Sequence, residues 1–426
     1  MKNSEILVSV LCITYNHERY IRETLEGILM QKTDFSYEIL IHEDASTDNT
    51  ANIIREYEKK YPELFTVIYE SENQYNKGIE YCHDLLAPKA KGKYIALCEG
   101  DDAWIDDKKL QLQVDYMEKY PECSLITHKA FLQYPFSWDK KRDSRVMGYP
   151  EEGIIPYEEL FKSWSVATSS FLFPKDIYMK MPEFFRTAPT GDEPLKFYLA
   201  GKGAVYYIDR VMSVYNRMSM GSWSSRFEQA SYGKQVDYCK GYVEFFSRLD
   251  EYRNFEYHDF FASCIRERIK SIMVYILFAA RDEAEAKAMV DVLGDACLPE
   301  YQDYILSKKS AFMPLDREKL GKFVIEKSGG RDIYVYGAGK LAERFTSQMG
   351  DCGIPIKKII ITDGQPNLTD MGNIPIIYFS DFLKLYDGKQ MVYIGVGEPF
   401  ADAVMNNLDK AGVKEYAWPY RDVYQF

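Results

Sequence analysis

Short, near-continuous apolar runs alternate with helix-spaced apolar residues through the first hundred positions, and few folds accept that alternation. Ile6–Ile13 is apolar almost throughout, as a strand buried on both faces must be. Ile21, Leu25, Ile28 and Leu29 then fall on one face of a helix, with Asn16 placed to cap it. Tyr37–Ile41 predicts a second strand that runs into His42-Glu43-Asp44. Ser46-Thr47-Asp48-Asn49-Thr50 supplies helix-start residues for a helix over 51–60, which stops before Pro62. Leu64–Tyr69 and Tyr94–Cys98 predict a third and a fourth strand. Strands alternating with helices at these lengths give βαβ units and a mainly parallel sheet.

Beyond Pro121 the pattern is mixed. Ser124–Ala130, Ser169–Phe173 and Ala204–Ile208 read as strands, and Glu193–Ala200 as a helix. From about Phe227 to Lys327 the pattern is helical, with Ile265, Ile269, Ile272 and Tyr275 in helical register. A new strand, a Gly-Ala-Gly turn and a helix begin at Asp332. The 426 residues are therefore expected to divide into 1–225, a helical region 226–328 and a small α/β domain 329–426. A net charge of −12 argues against a general nucleic-acid binder, which carries a basic stripe. The eight cysteines form no C-x-x-C pair and several lie in apolar runs, as buried thiols in a reducing cytoplasm do. The N-terminal apolar stretch reads as a strand rather than a signal peptide, and the run near Ile272–Ala280 is too short to span a bilayer. The expected location is cytoplasmic, which leaves room for peripheral contact at the inner face of the membrane. The oligomeric state is left open.

Acidic residues gather at predicted strand ends. Asp44 ends the second strand, and Asp101 and Asp102 follow the fourth, although 57 residues separate Asp44 from Asp101. Ligands of open α/β sheets bind beyond the carboxyl ends of strands, so these acids are expected to converge. Acids held together repel, and a divalent cation or a ligand hydroxyl offsets the repulsion. Asp106 and Asp107 instead lead the helix at Lys108–Met117 and are expected to cap it. The five histidines lack metal-ligand spacing, and His42 is expected beside the cleft without acting in it. Neither a G-x-S-x-G elbow nor a Walker A lysine loop occurs.

Three ordered segments resemble the GT-A glycosyltransferases of family 2: Val8-Ser9-Val10-Leu11-Cys12-Ile13-Thr14-Tyr15-Asn16, Glu38–Thr50 around His42-Glu43-Asp44, and Gly92–Trp104 with Glu99-Gly100-Asp101-Asp102. The resemblance covers about residues 5–225 and implies a GT-A nucleotide-sugar-binding domain with a mixed, mainly parallel sheet. It implies that Thr14 and Tyr15 flank the nucleotide base and that Asp44 pairs with it, a carboxylate suiting the N–H of uracil. It implies Asp101 and Asp102 as metal and ribose acids, Asp102 being the direct ligand of Mg2+ or Mn2+, with Glu99 sharing the site. Thr190-Gly191-Asp192-Glu193 matches the segment where such enzymes place the base for the acceptor hydroxyl; Asp192 is assigned that role, with Glu193 as second choice. The bland reading of Asp192, a helix cap, is compatible with this one. Tyr215-Asn216-Arg217-Met218 departs from the family's Tyr-Arg-x-His stretch, leaving Arg217 as a diphosphate contact and Trp223 as a sugar platform in a following loop.

The implied activity is an inverting, metal-dependent transfer of a sugar, from UDP, to a glycan or lipid-linked acceptor in surface polysaccharide synthesis. In the C-terminal domain, Gly337 and Gly339 open a helix after a strand, and Asp363 ends the next strand 24 residues beyond Gly339. That is the layout of a dinucleotide fingerprint, which would take NAD(P) or another nucleotide. The glycines serve a tight turn equally well, so a ligand role and a structural or assembly role both stand. Two competing readings are a nucleotidyltransferase, whose early basic Gly-rich loop is missing from Cys12–Arg19, and a non-catalytic sugar-nucleotide scaffold or sensor working through the C-terminal domain.

Overall fold

The computed structural model describes residues 5–74, 80–133, 145–161, 166–217, 227, 232–279, 317–363, 370–396, 398–419 and 422. The chain divides into two compact units, one of residues 1–230 with 237–269 and one of residues 231–236 with 270–426.

The first unit is built on β1 (Ile6–Thr14), whose Val8, Val10, Leu11 and Cys12 are buried. A strand apolar on both sides needs cover on both faces, and it pairs in parallel with β2 (Ser36–Glu43) on one edge and β4 (Tyr94–Leu97) on the other. β3 (Phe65–Tyr69) adds in parallel beyond β2. On the far side the sheet continues through β9 (Leu172–Pro174), β6 (Cys123–Gln133), β10 (Ala204–Asn216) and the short β5 (Ala103–Trp104). β9 is antiparallel to β4 and β6, β10 is parallel to β6, and β7 (Arg145–Met147) and β8 (Gly153–Ile155) add antiparallel edges. The expected mixed, mainly parallel α/β sheet is what forms.

Helices cover both faces. α1 (Ile21–Leu29), α2 (Thr50–Lys60) and α3 (Lys109–Lys119) bury Ile21, Leu25, Ile54, Leu110 and Val114 on one side with Val10 and Ile39. The other face carries α4 (Lys175–Tyr178), α5 (Glu183–Arg186), α6 (Asp192–Ala200), α7 (Tyr232–Tyr252) and α8 (His258–Ala279). Its core is aromatic, with Phe171, Phe197, Tyr242, Phe245 and Phe261 packed together. Each such ring removes a large apolar area from water, worth about 1.5–3 kcal/mol for a fully buried side chain.

Two local expectations are corrected. Asn16 does not cap α1, whose N-cap is Tyr20. Asn16 instead adopts a left-handed backbone (φ 56°), and its Oδ1 accepts the Thr47 N–H, which ties the loop after β1 to the loop after β2. Lys108, not Asp106 or Asp107, is the N-cap of α3. Asp106 accepts the Lys108 N–H from outside the helix and pairs with Arg210, and Asp107 pairs with Lys32.

The second unit is a six-stranded sheet in the order β13 (Asp370–Met371), β14 (Ile374–Tyr378), β12 (Lys358–Ile361), β11 (Asp332–Tyr336), β15 (Gln390–Ile394), β16 (Tyr416–Ala417). All its pairings are parallel except β13 with β14. With α9 (Arg317–Ser328), α10 (Lys340–Asp351), α11 (Phe379–Leu385) and α12 (Glu398–Lys410) it encloses its own core around Val335, Ile360, Phe345 and Tyr393.

Candidate active site

The parallel strands β1, β2 and β4 end side by side, so the loops that follow them share one edge of the sheet. Thr14 closes β1, and its carbonyl accepts the Asp44 N–H at 3.1 Å. Asp44 is buried just past β2; its Oδ1 accepts the Gln74 N–H at 2.7 Å and its Oδ2 accepts Asn73 Nδ2 at 2.9 Å. Three loops are therefore joined at one residue, through its backbone N–H and its carboxylate. Tyr15, half-buried, follows Thr14 in the same loop.

The turn after β4 holds Glu99, Gly100, Asp101 and Asp102. A Cβ on Gly100 would stand 2.5 Å from Thr14 Oγ1 and 2.9 Å from His17 Nδ1, so only glycine lets this turn approach the β1 loop. The Asp102 N–H returns to the Glu99 carbonyl at 3.0 Å. Asn216, at the end of β10, pins the turn from across the sheet. Its N–H donates to Asp102 Oδ1 at 3.0 Å and its Nδ2 to the Asp101 carbonyl at 2.7 Å. Thr24 of α1 donates to the Asp102 carbonyl at 2.6 Å. Asn216 and Thr24 were not singled out in the sequence; Asn216 stands beside Arg217 in the motif already noted, whereas nothing local marks Thr24.

Glu99, Asp101 and Asp102 act on one another electrostatically, and Asp192, 90 residues beyond Asp102 in the chain, adds to the same field, whereas the contacts of Asp44 are with Thr14, Asn73 and Gln74. Burial, and then the charges of Asp101, Asp102 and Asp192, hold the Glu99 carboxyl well above the usual carboxylate range. Burial and Asp101 raise Asp102 likewise, and the Asn216 amide offsets part of this. Tyr215 of β10 feels the same four acids; burial first and then their charge push its phenol up, so it remains a neutral hydrogen-bond donor. His17 also belongs here, with Nε2 3.9 Å from Asp101 Oδ2 and Nδ1 3.2 Å from Thr14 Oγ1. His17 lacks ligand spacing in the sequence, and its contacts with Thr14 and Asp101 come from the approach of two turns.

Asp192 is the first residue of α6 and is exposed; its Oδ1 accepts the N–H of Glu193 at 2.8 Å. Glu193 is instead held by Arg268, whose Nη2 lies 3.2 and 2.9 Å from its two carboxylate oxygens. Arg217 follows β10, its N–H bonded to the Gln133 carbonyl at 2.9 Å. Trp223 lies outside the described residues.

Among the described residues, no three His, Cys, Asp or Glu side chains are gathered tightly enough to hold a metal ion unaided. Asp102 Oδ2 is nonetheless buried without a hydrogen-bond partner, beside a second carboxylate. Such an oxygen fits a hard cation that takes its remaining ligands from a bound phosphate. His42 stacks on Tyr81 with ring centres 4.5 Å apart and lies 3.3 Å from Glu70, behind the Asp44 loop.

In the second unit, Gly337 has φ 115° and a Cβ there would meet Val396 at 2.6 Å, so the turn itself demands glycine. Gly339 has open space around it and ordinary φ. Asp363 accepts both the N–H and the hydroxyl of Ser380, the latter at 2.5 Å.

Residues 9–178 match the family model Glycosyl transferase family 2. An uncharacterized protein of Mycobacterium tuberculosis is 34% identical over 224 residues, 52% of this chain and 61% of that protein. The chain thus spans about three-fifths of the length of that relative. A UDP-Glc:α-D-GlcNAc-diphosphoundecaprenol β-1,3-glucosyltransferase of Escherichia coli, WfaP, is 28% identical over 220 residues, 51% of this chain and 80% of that one. The crystal structure of S. aureus TarS residues 1–349 with UDP aligns over 80% of this chain and 83% of that one, at 16% identity and a TM-score of 0.40. The match to Glycosyl transferase family 2 is thus carried by residues 9–178, the part of the chain that holds the strand ends and acidic turn described above.

Proposed function

We propose that the chain is an inverting glycosyltransferase that moves a sugar from a nucleoside diphosphate, UDP, to a hydroxyl of a glycan or lipid-linked acceptor in surface polysaccharide synthesis. The observation that carries this reading is the convergence of Glu99, Asp101 and Asp102 with Asp192 around Tyr215. Asp101 and Asp102 are buried side by side, and like charges held there are costly unless a ligand uses them. The E. coli relative, named for UDP-glucose and a diphosphoundecaprenol acceptor, supports the donor and acceptor classes.

In this reading Asp44 accepts the imide N–H of uracil, and Thr14 and Tyr15 border the base. Asp101 and Asp102 would hold Mg2+ or Mn2+, which would supply positive charge to offset the charge that develops on the leaving diphosphate. Asp192, exposed at the N-terminus of α6, takes the proton of the acceptor hydroxyl as that oxygen bonds to the anomeric carbon and the bond to the diphosphate breaks. Tyr215 stays neutral among the acids and adds no further negative charge. Arg217 is retained as a diphosphate contact and Trp223 as a sugar platform. In the second unit, the commitment of Asp363 to Ser380 favours a structural role over binding of a dinucleotide ribose.

The test is UDP release from UDP-glucose, UDP-galactose, UDP-N-acetylglucosamine and UDP-N-acetylgalactosamine, with Mn2+, Mg2+ or chelator, for the wild type, Asp102→Asn and Asp192→Asn. Release from one donor that needs a cation and is lost in Asp102→Asn supports the reading. Equal release by wild type and Asp102→Asn sinks it.

A further inference from the structure

We propose that Tyr242 of α7 and Arg268 of α8 are positioning residues for Asp192, so that the helical region works as a clamp on the segment that carries the base. The proposal rests on the reading of Asp192 given above and extends it to the helices that follow the sheet.

Residues 187–191 connect α5 to α6 and belong to no regular element; their backbone is tied at its ends, by the Thr187 N–H on the Glu183 carbonyl and the Leu195 N–H on the Gly191 carbonyl, and the stretch between needs side-chain support to hold Asp192 in place. Three contacts from α7 and α8 fix it. The Tyr242 hydroxyl lies 2.5 Å from Thr190 Oγ1, and Tyr242 is wholly buried. At Gly241 a Cβ would stand 2.7 Å from Pro189 Cγ, so the α7 backbone seats directly on the loop. Arg268 grips the residue on the other side of Asp192 through its paired contacts with both Glu193 oxygens. These holds are joined, because the Arg268 guanidinium lies over the Tyr242 ring, 4.2 Å from its centre. Asp192 is thus bracketed at Thr190 and Glu193 by one stacked pair of side chains and at Pro189 by the α7 backbone, while Asp192 itself is exposed.

The same geometry separates the two acids proposed for proton transfer. Both Glu193 oxygens are occupied by a fixed guanidinium, whereas Asp192 accepts only its neighbour's amide. Glu193 is therefore the handle and Asp192 the group being aimed. A misplacement of about 1 Å in a reacting group costs on the order of a hundredfold in rate, so a clamp that prevents it acts on turnover rather than on donor binding.

The experiment measures kcat and KM for UDP release, using the donor of highest turnover among the four above, for Arg268→Gln, Glu193→Gln, the double variant, Tyr242→Phe and Asp192→Asn. Arg268→Gln is expected to lower kcat by about 10- to 100-fold with donor KM within about twofold. The double variant is expected to be no worse than the poorer single variant, since both remove one contact. Tyr242→Phe, which keeps the ring and loses the hydroxyl, is expected to lower kcat less than Arg268→Gln. Hydrogen exchange should speed up over residues 187–193 in Arg268→Gln and stay unchanged in β1 and β4. Unchanged kcat in Arg268→Gln, or a loss that only follows the folded fraction measured by donor binding, overturns the clamp. Full turnover by Asp192→Asn overturns the underlying assignment of the base. Loss in Asp192→Asn with none in Arg268→Gln overturns the clamp alone.

Discussion

Asn216 shows how one side chain ties a site together. Its backbone N–H and its amide reach two consecutive acids, Asp102 and Asp101, on a turn more than a hundred residues earlier in the chain. Asn216→Ala leaves the buried Asp101 carbonyl without its Nδ2 donor, and a cost of about 1–3 kcal/mol is expected, read as a lower urea midpoint. Asp192→Asn removes the proposed proton acceptor and is expected to lower kcat by about 100- to 10,000-fold with donor binding intact. Binding titrations beside turnover check the split. Lys109 is a different case. It is fully buried, its Nζ lies 3.8 Å from the Trp104 ring centre and 2.7 Å from Gln113 Oε1, and burial lowers its pKa to about 7. The unfolded chain holds that proton up to the ordinary value of 10.5, so between about 7 and 10.5 it binds more protons than the native state. Stability from this group therefore rises with pH across that window and is lost as pH falls through 7. Urea midpoints at stepped pH should show this rise in the wild type and a flatter profile in Lys109→Met.

Strand ends and the turns behind them set the next scale. β1 and β4 are adjacent and parallel, so the Gly100 turn must pass over Thr14, and any Cβ at position 100 collides with Thr14 Oγ1 and His17. Gly100→Ala is expected to displace the acidic turn and lower kcat at least tenfold. A smaller loss, with a wild-type urea midpoint, would mean that the turn relaxes without moving its carboxylates. The Asn16 link between the β1 and β2 loops works in the same way. Its loss in Asn16→Ala should loosen the loop bearing Asp44, seen as faster amide exchange over residues 44–48. Among the described residues no helix is long and apolar enough to cross a membrane.

At the scale of the molecule, each unit closes a core of its own. The second unit pairs every one of its six strands internally, and its core draws on α9 through Leu320 and Val324. A fragment of residues 317–426 is therefore expected to fold alone and melt cooperatively. A non-cooperative melt with weak near-ultraviolet dichroism would show that it needs the rest of the chain.

Much of this architecture can be read without coordinates, because its physical causes are local. Apolar runs such as Ile6–Ile13 can only be strands covered on both faces, and the spacing of Ile21, Leu25 and Ile28 can only bury one side of a helix. The acids at strand ends were legible for the same reason: a parallel sheet brings successive carboxyl ends to one edge whatever the loops do. Asn16 misled because a cap and a loop staple use the same short amide, and only the left-handed backbone tells them apart. His17, Thr24 and Asn216 were illegible as site residues, since each acts through a partner that lies more than 70 residues away in the chain. Asp192 stands before Glu193 in the sequence only by resemblance to a family. Both acids sit at one helix start, and the physical difference between them is a guanidinium from α8 on Glu193, brought there by the packing of two aromatic helices.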